Sequence, residues 1–408
     1  MFDIEVATLD ATRMRSAGKD LLSLALMDAR NQSLRWIGAF EKALEGSALK
    51  VPPRPEINPP LWELGRIGWF QERWIARNTQ LRRGPRCDPT QPRLPSILQD
   101  ADRWYDAAGV PHARRWTLDL PDLQATRQYL ADTLEITLDL LEGSADDDAA
   151  QHFFRLALFH EDMRAEAFAS TAQTLGIDCG LLAPPPAGAV REPLLFPATR
   201  WALGSRPGGF VFDVEKWAHE VALPEFEIDA QAVNWAQYCE FVADGGYDEP
   251  RFWSEDGWAW LQREGRRTPR HVDQMRQGVL RRRFGTLARV PLTQAAVHVS
   301  WFEADAWCRW AGRRLASEVE WEAAAHQGAS RGWRWGEVWE WTASTARPYP
   351  GFAADPHRDP ALPCFDGNHK ALRGASFATR ARVASPKARR FCRPERDDLF
   401  CGFRSCAA

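Results

Sequence analysis

The chain has 408 residues, enough for two or three domains with full-sized cores, and two is the working expectation. A formal net charge of −3 and a pI near 6.3 exclude a global basic field of the kind that captures nucleic acid or anionic membrane. No N-terminal stretch joins a basic region, a long apolar core and a small-residue cleavage site. No apolar run reaches the roughly 18 residues that a membrane span needs, so a cytoplasmic location is the expectation.

Residues 8 to 46 read as helix, with Leu21, Leu22, Leu24, Ala25, Ala29, Leu34, Ile37, Phe40 and Leu44 at helical spacing. The proline-rich stretch Val51 to Pro60 forces an extended connection. A second helix runs from about Leu61 to Asn78, and residues 79 to 122 are rich in loops. Two more helices, about 122 to 142 and 146 to 175, complete a set of four, which predicts an antiparallel bundle with side chains projecting into its middle. Ala183-Pro184-Pro185-Pro186-Ala187-Gly188 is the clearest linker. Beyond it come short apolar runs rich in Gly, Pro and Trp, with amphipathic helices near 231 to 244 and 300 to 327. That texture predicts an irregular α+β domain with long packed loops. The predicted division is residues 1–182, a linker over 183–195, and 196–408.

The 20 tryptophans outnumber the five tyrosines. Any single indole is expected to pack in a core, although Trp253, Trp258 and Trp260 could box a trimethylammonium group by cation–π attraction. The eight cysteines form no C-x-x-C pair, which argues against a zinc ribbon or a disulfide framework. The run Arg281-Arg282-Arg283, shortly after Gln277, reads as a solvated face.

Leu158-Phe159-His160-Glu161-Asp162-Met163-Arg164-Ala165-Glu166 is the most informative segment. A helix puts residues four apart on one face, so His-x-x-x-His can present two imidazoles to one cation. Here the second position is Arg164, a permanently charged donor with no lone pair for a metal.

In the C-terminal half, the strings Val299 to Leu315, Glu318-Val319-Glu320-Trp321-Glu322, Gly336 to Thr342, Leu372 to Phe377 and Phe400-Cys401-Gly402-Phe403-Arg404 resemble the formylglycine-generating-enzyme domain, a C-type-lectin-type fold. The N-terminal half resembles the DinB-like four-helix domain. Together they resemble the ergothioneine sulfoxide synthases and the related selenoneine synthases. Leu158 to Phe168, Phe210-Val211-Phe212-Asp213, Lys216 to His219 and Arg347 to Phe352 lie closer to the selenoneine branch. The resemblance implies a non-haem Fe(II), O₂-dependent enzyme that joins sulfur or selenium to the imidazole of the betaine hercynine. Its partners would be that betaine and a thiol or selenium donor, with no nucleic acid or membrane.

In that family three histidines hold the iron, one from W-x-L-x-H and two from H-E-x-x-H. The matching strings here are Trp62-Glu63-Leu64-Gly65-Arg66 and His160-Glu161-Asp162-Met163-Arg164, so His160 keeps its ligand position while Arg66 and Arg164 occupy the other two. Iron normally needs three protein ligands. Glu63, Glu161 and Glu166 could substitute in principle, or together with Asp162 could pair with the arginines. Paired arginines could also bind an anion. Two further departures stand out: the loop Asp355-Pro356-His357-Arg358-Asp359-Pro360 lacks the family's tyrosines, and Arg390 replaces an asparagine of the R-N-aromatic string. Arg390, Phe391 and Trp339 are the candidate substrate-binding residues by resemblance. Cys392 and Cys401 recur near the positions of catalytic thiols, but their spacing does not reproduce that site. The leading expectation is a synthase of this family acting on a hercynine-like betaine, and the alternative is a metal-free paralogue that binds or regulates.

Overall fold

The computed structural model describes residues 10–183, 185–275, 278–357 and 364–408. Pro184, Gln277 and Arg358 to Pro360, as well as the first two residues of the predicted N-terminal helix, lie outside them.

The first predicted helix is divided into α1 (Ala11–Arg15) and α2 (Lys19–Ala43). The break falls at Ser16-Ala17-Gly18, where Gly18 starts α2 in extended conformation. A short chain bend is thus favoured over one continuous rod. Then come α3 (Pro60–Trp74), the short α4 (Ala101–Tyr105), α5 (Leu123–Glu142) and α6 (Asp148–Leu175). Pro60 sits in the first turn of α3, where its missing N–H costs nothing. Asp122 and Asp147 cap α5 and α6 by accepting from backbone amides of the first turn, and Gly176 ends α6 in the left-handed conformation that glycine adopts without strain.

Helices α2, α3, α5 and α6 form the predicted four-helix bundle around Leu22, Leu26, Ile37, Phe40, Trp62, Leu64, Leu130, Phe153 and Phe168. The close packing of α3 depends on Gly65: a Cβ there would stand 2.3 Å from the ring of Tyr105, which is fully buried. Arg30 of α2 ties the whole bundle together. Its guanidinium donates to Glu161 Oε1 of α6 at 2.9 Å and to Gln71 Oε1 of α3 at 2.5 Å, and it also bonds the Leu130 carbonyl of α5.

The second half is irregular and α+β, as expected. Its helices are α7 (Trp235–Ala243), α8 (Glu255–Glu264), α9 (Trp301–Trp310) and α10 (Glu318–Gln327). The predicted helix over 300 to 327 is two helices with a strand between them, because Gly312 takes a left-handed φ and turns the chain into Arg313–Leu315. Reciprocal capping boxes at Asn234, Ser300 and Ser317 start α7, α9 and α10.

One four-stranded sheet orders β1 (Leu194–Phe196), β4 (Phe226–Ile228), β13 (Ser405–Ala407) and β8 (Arg313–Leu315). The other orders β11 (Arg389–Cys392), β10 (Lys370–Gly374), β9 (Trp339–Thr345) and β12 (Cys401–Phe403), with β12 parallel to β9. A two-stranded ribbon pairs β2 (Thr199–Leu203) with β3 (His219–Leu223), and a three-stranded sheet joins β5 (Val272–Gln274), β6 (Val279–Arg283) and β7 (Thr286–Val290).

The arginine run in β6 corrects the expectation of a solvated face. Strand alternation turns Arg281 inward, where it is buried, and only Arg282 is exposed. Arg283 donates to the Leu182 carbonyl at 2.6 Å.

The two halves are joined by charged contacts. Arg15 of α1 grips Glu215 with two bonds of 2.5 and 2.8 Å. Arg382 grips Asp162 of α6 with bonds of 2.6 and 2.8 Å and also donates to Asp28 of α2 at 2.6 Å. No helix among the described residues is long and apolar enough to cross a membrane.

Candidate functional site

His160 lies on the inward face of α6 and is stacked on Phe70 of α3, with ring centroids 3.8 Å apart and planes 9° apart. Burial holds its imidazole well below the usual histidine range, and the charges of Arg164 and Arg66 push in the same direction. His160 is therefore neutral at pH 7, with a ring lone pair available.

The other two ligand positions of the resemblance converge beside it. Arg66 Nη1 donates to the Tyr105 carbonyl at 2.7 Å, and its guanidinium lies 5.5 Å from the Trp62 ring and 5.6 Å from the Trp69 ring. Arg164 Nη1 lies 3.7 Å from Glu63 Oε2. Burial is the largest influence on Arg66 and lowers its pKa to about 10, helped by the like charges of Arg164 and Arg115. The guanidinium remains charged at neutral pH.

Arg115 is the residue that sequence reasoning missed. It lies 4.2 Å above the Trp62 ring and donates to Asn58 Oδ1 at 2.7 Å, while the Asn58 amide donates to Glu63 Oε1. Nothing periodic links Arg115 to α3, since it reaches the site from the loop-rich stretch between α4 and α5.

Of the four carboxylates expected beside the arginines, only Glu63 pairs with either of them. Glu161 is held by Arg30 in the middle of the bundle, and Asp162 is held by Arg382. Glu166 accepts from Trp339 Nε1 at 2.7 Å, Ser376 Oγ at 3.0 Å and Thr379 Oγ1 at 2.8 Å. These three carboxylates each satisfy a buried donor elsewhere, so helical spacing alone misassigned them.

Arg390 and Trp339 meet at that same Glu166. Arg390 Nη1 is 3.5 Å from its carboxylate, and the guanidinium is 5.8 Å from the Trp339 ring. Phe391, next along β11, packs instead with Val214, Ala346 and Ala371. Adjacent strand residues face opposite ways, so the structure brings Arg390 and Trp339 together and turns Phe391 away.

Cys392 and Cys401 are buried, and burial raises both thiols above the ordinary range. Neither is poised as a thiolate nucleophile. Trp253 and Trp260 are core residues, with Trp253 Nε1 donating to the Gly246 carbonyl at 2.8 Å.

An iron ion does not fit this donor set. Two of the three positions present guanidinium groups, which are donors only and repel a divalent cation. Among the described residues, no three His, Cys, Asp or Glu side chains gather in a way that could hold a metal ion.

Comparison with known proteins decides the family. Hercynine oxygenase of Mycobacterium tuberculosis is 31% identical over 94% of this chain and 97% of its own length. The chain belongs to the hercynine oxygenase family. A hercynine oxygenase of Mycolicibacterium smegmatis is 29% identical over 95% of this chain and 98% of that protein. The sulfatase-modifying factor enzyme 1-like domain model matches residues 189–337. The formylglycine-generating enzyme of Streptomyces coelicolor is 35% identical over 36% of this chain and 51% of that one. As a hercynine oxygenase relative, the chain pairs a helical N-terminal half with a formylglycine-generating-enzyme-like C-terminal half, as the sequence motifs implied.

Proposed function

We propose that this protein is a metal-free member of the hercynine oxygenase family that binds a hercynine-like betaine. The observation that carries this reading is the Arg66–Arg164–Glu63 cluster at the family's ligand positions, where each arginine has its own protein partner. Support for a zwitterionic ligand comes from Arg390, whose side chain is 35% exposed and whose guanidinium can hold a carboxylate. The expected role is binding or regulation.

A second reading, favoured by the neutral, buried His160 at its ancestral position, is an O₂-dependent synthase that joins sulfur or selenium to the imidazole of hercynine. In that case a thiol or selenium donor would be the second substrate.

Elemental analysis of anaerobically iron-reconstituted protein, beside a His160→Ala control, separates the two. The metal-free reading expects no iron in either sample. Near-stoichiometric iron that disappears in the control would establish the second reading. Calorimetric titration with hercynine tests the betaine site, and absence of binding would sink the betaine assignment.

A further inference from the structure

Three guanidinium groups act on one another around a single paired carboxylate. Arg66 comes from α3, Arg164 from α6 and Arg115 from the loop between α4 and α5, and Glu63 is the carboxylate in their midst. Asp106 is the next negative charge to reach Arg66, and its effect is the smallest. Three positive charges therefore face two negative ones.

The donors of this cluster are also under-used. Arg164 Nε and Arg115 Nε are buried with no hydrogen-bond partner, as is Glu63 Oε2. A buried donor left unpaired is costly, so a native arrangement that leaves two guanidinium N–H groups open is poised to satisfy them with an acceptor. The cluster is not sealed: the Arg164 side chain is 28% exposed. A small oxyanion meets all three requirements, since it supplies acceptors only, carries compensating charge and matches the guanidinium fork.

We propose that the position taken by iron in the ancestral site is an oxyanion-binding site in this protein, formed by Arg66, Arg115 and Arg164 with Trp62 as the stacking floor. It rests on the metal-free reading above. Glu63 sets the affinity, because it competes with the incoming anion for Arg164. The shared chemistry is a compact oxyanion, carboxylate or phosphate, and the two are separable by titration.

The experiment is isothermal titration of the full chain at low ionic strength with inorganic phosphate and, separately, with acetate, with iron content measured on the same samples. Saturable binding at one site per chain is expected. It should weaken at least tenfold in Arg66→Gln and in Arg164→Gln, and strengthen in Glu63→Gln. Arg164→Lys keeps the charge without the fork and should lose less than Arg164→Gln, a distinction that an unfolded variant would not show. Phosphate binding assigns a phosphoryl-type ligand, and acetate binding alone assigns a carboxylate. If neither anion binds the iron-free wild type, or if binding survives both glutamine variants undiminished, the site is refuted. Iron in the wild type would instead overturn the metal-free reading beneath it.

Discussion

Arg164 of α6 reaches across the bundle to Glu63 of α3, with Nη1 3.7 Å from Oε2. By the family resemblance a histidine ligand of the iron would stand at position 164. Here that position is one partner of an ion pair, and the chemistry of the site follows from that exchange.

Restoring the histidines tests how much of the ancestral geometry remains. His160 and Arg164 are four residues apart on one helix, and Arg66 converges on them from α3. The double variant Arg66→His, Arg164→His is expected to bind close to one iron per chain under anaerobic reconstitution, where the wild type binds none. Elemental analysis reads the result. Failure of the double variant to take up iron would count against the three positions sharing one site.

Arg30 and Glu161 form a buried pair in the bundle, with side chains 4% and 3% exposed. Removing one partner leaves an uncompensated charge, which costs about 3–5 kcal/mol. Arg30→Met should therefore lower the urea midpoint strongly, and a loss under 1 kcal/mol would show that Glu161 finds another partner.

Two glycines on neighbouring helices should respond with opposite signs. Gly65→Ala forces a methyl into the Tyr105 ring and is expected to cost about 1–3 kcal/mol by overpacking. At Gly38 of α2 a Cβ meets nothing within 4 Å, so Gly38→Ala should stabilise by about 0.5–1 kcal/mol through helix propensity. Thermal denaturation of the two variants side by side checks the contrast.

Acid sensitivity follows from histidines buried in neutral form. Burial lowers His152 and His271 to about 3 and holds His298 well below the ordinary range. An unfolded chain protonates these rings near pH 6.5, so the unfolded state binds more protons below that value. Their contribution is fully present above about pH 6.5 and is lost progressively as pH falls toward 3. The melting temperature should drop between pH 7 and pH 5, and a flat profile over that interval would contradict the account.

The sequence by itself determined the four helices, the irregular α+β half and the replacement of two histidines by arginine. These rest on local signals: apolar periodicity, proline and glycine punctuation, and the identity of a side chain that can never donate a lone pair. It also placed His160, Arg66 and Arg164 at corresponding positions through the ordered family strings. Only the tertiary structure decided which partner each charge takes. Glu161, Asp162 and Glu166 share a helix with Arg164, yet each turns to a donor supplied by a distant segment: Arg30, Arg382 and Trp339. Arg115, remote in the chain, reaches the cluster through its packing on Trp62. Helical spacing fixes the face a residue occupies, but the pairing of buried charges is set by which donors the packed segments leave unsatisfied, and that is a property of the whole fold.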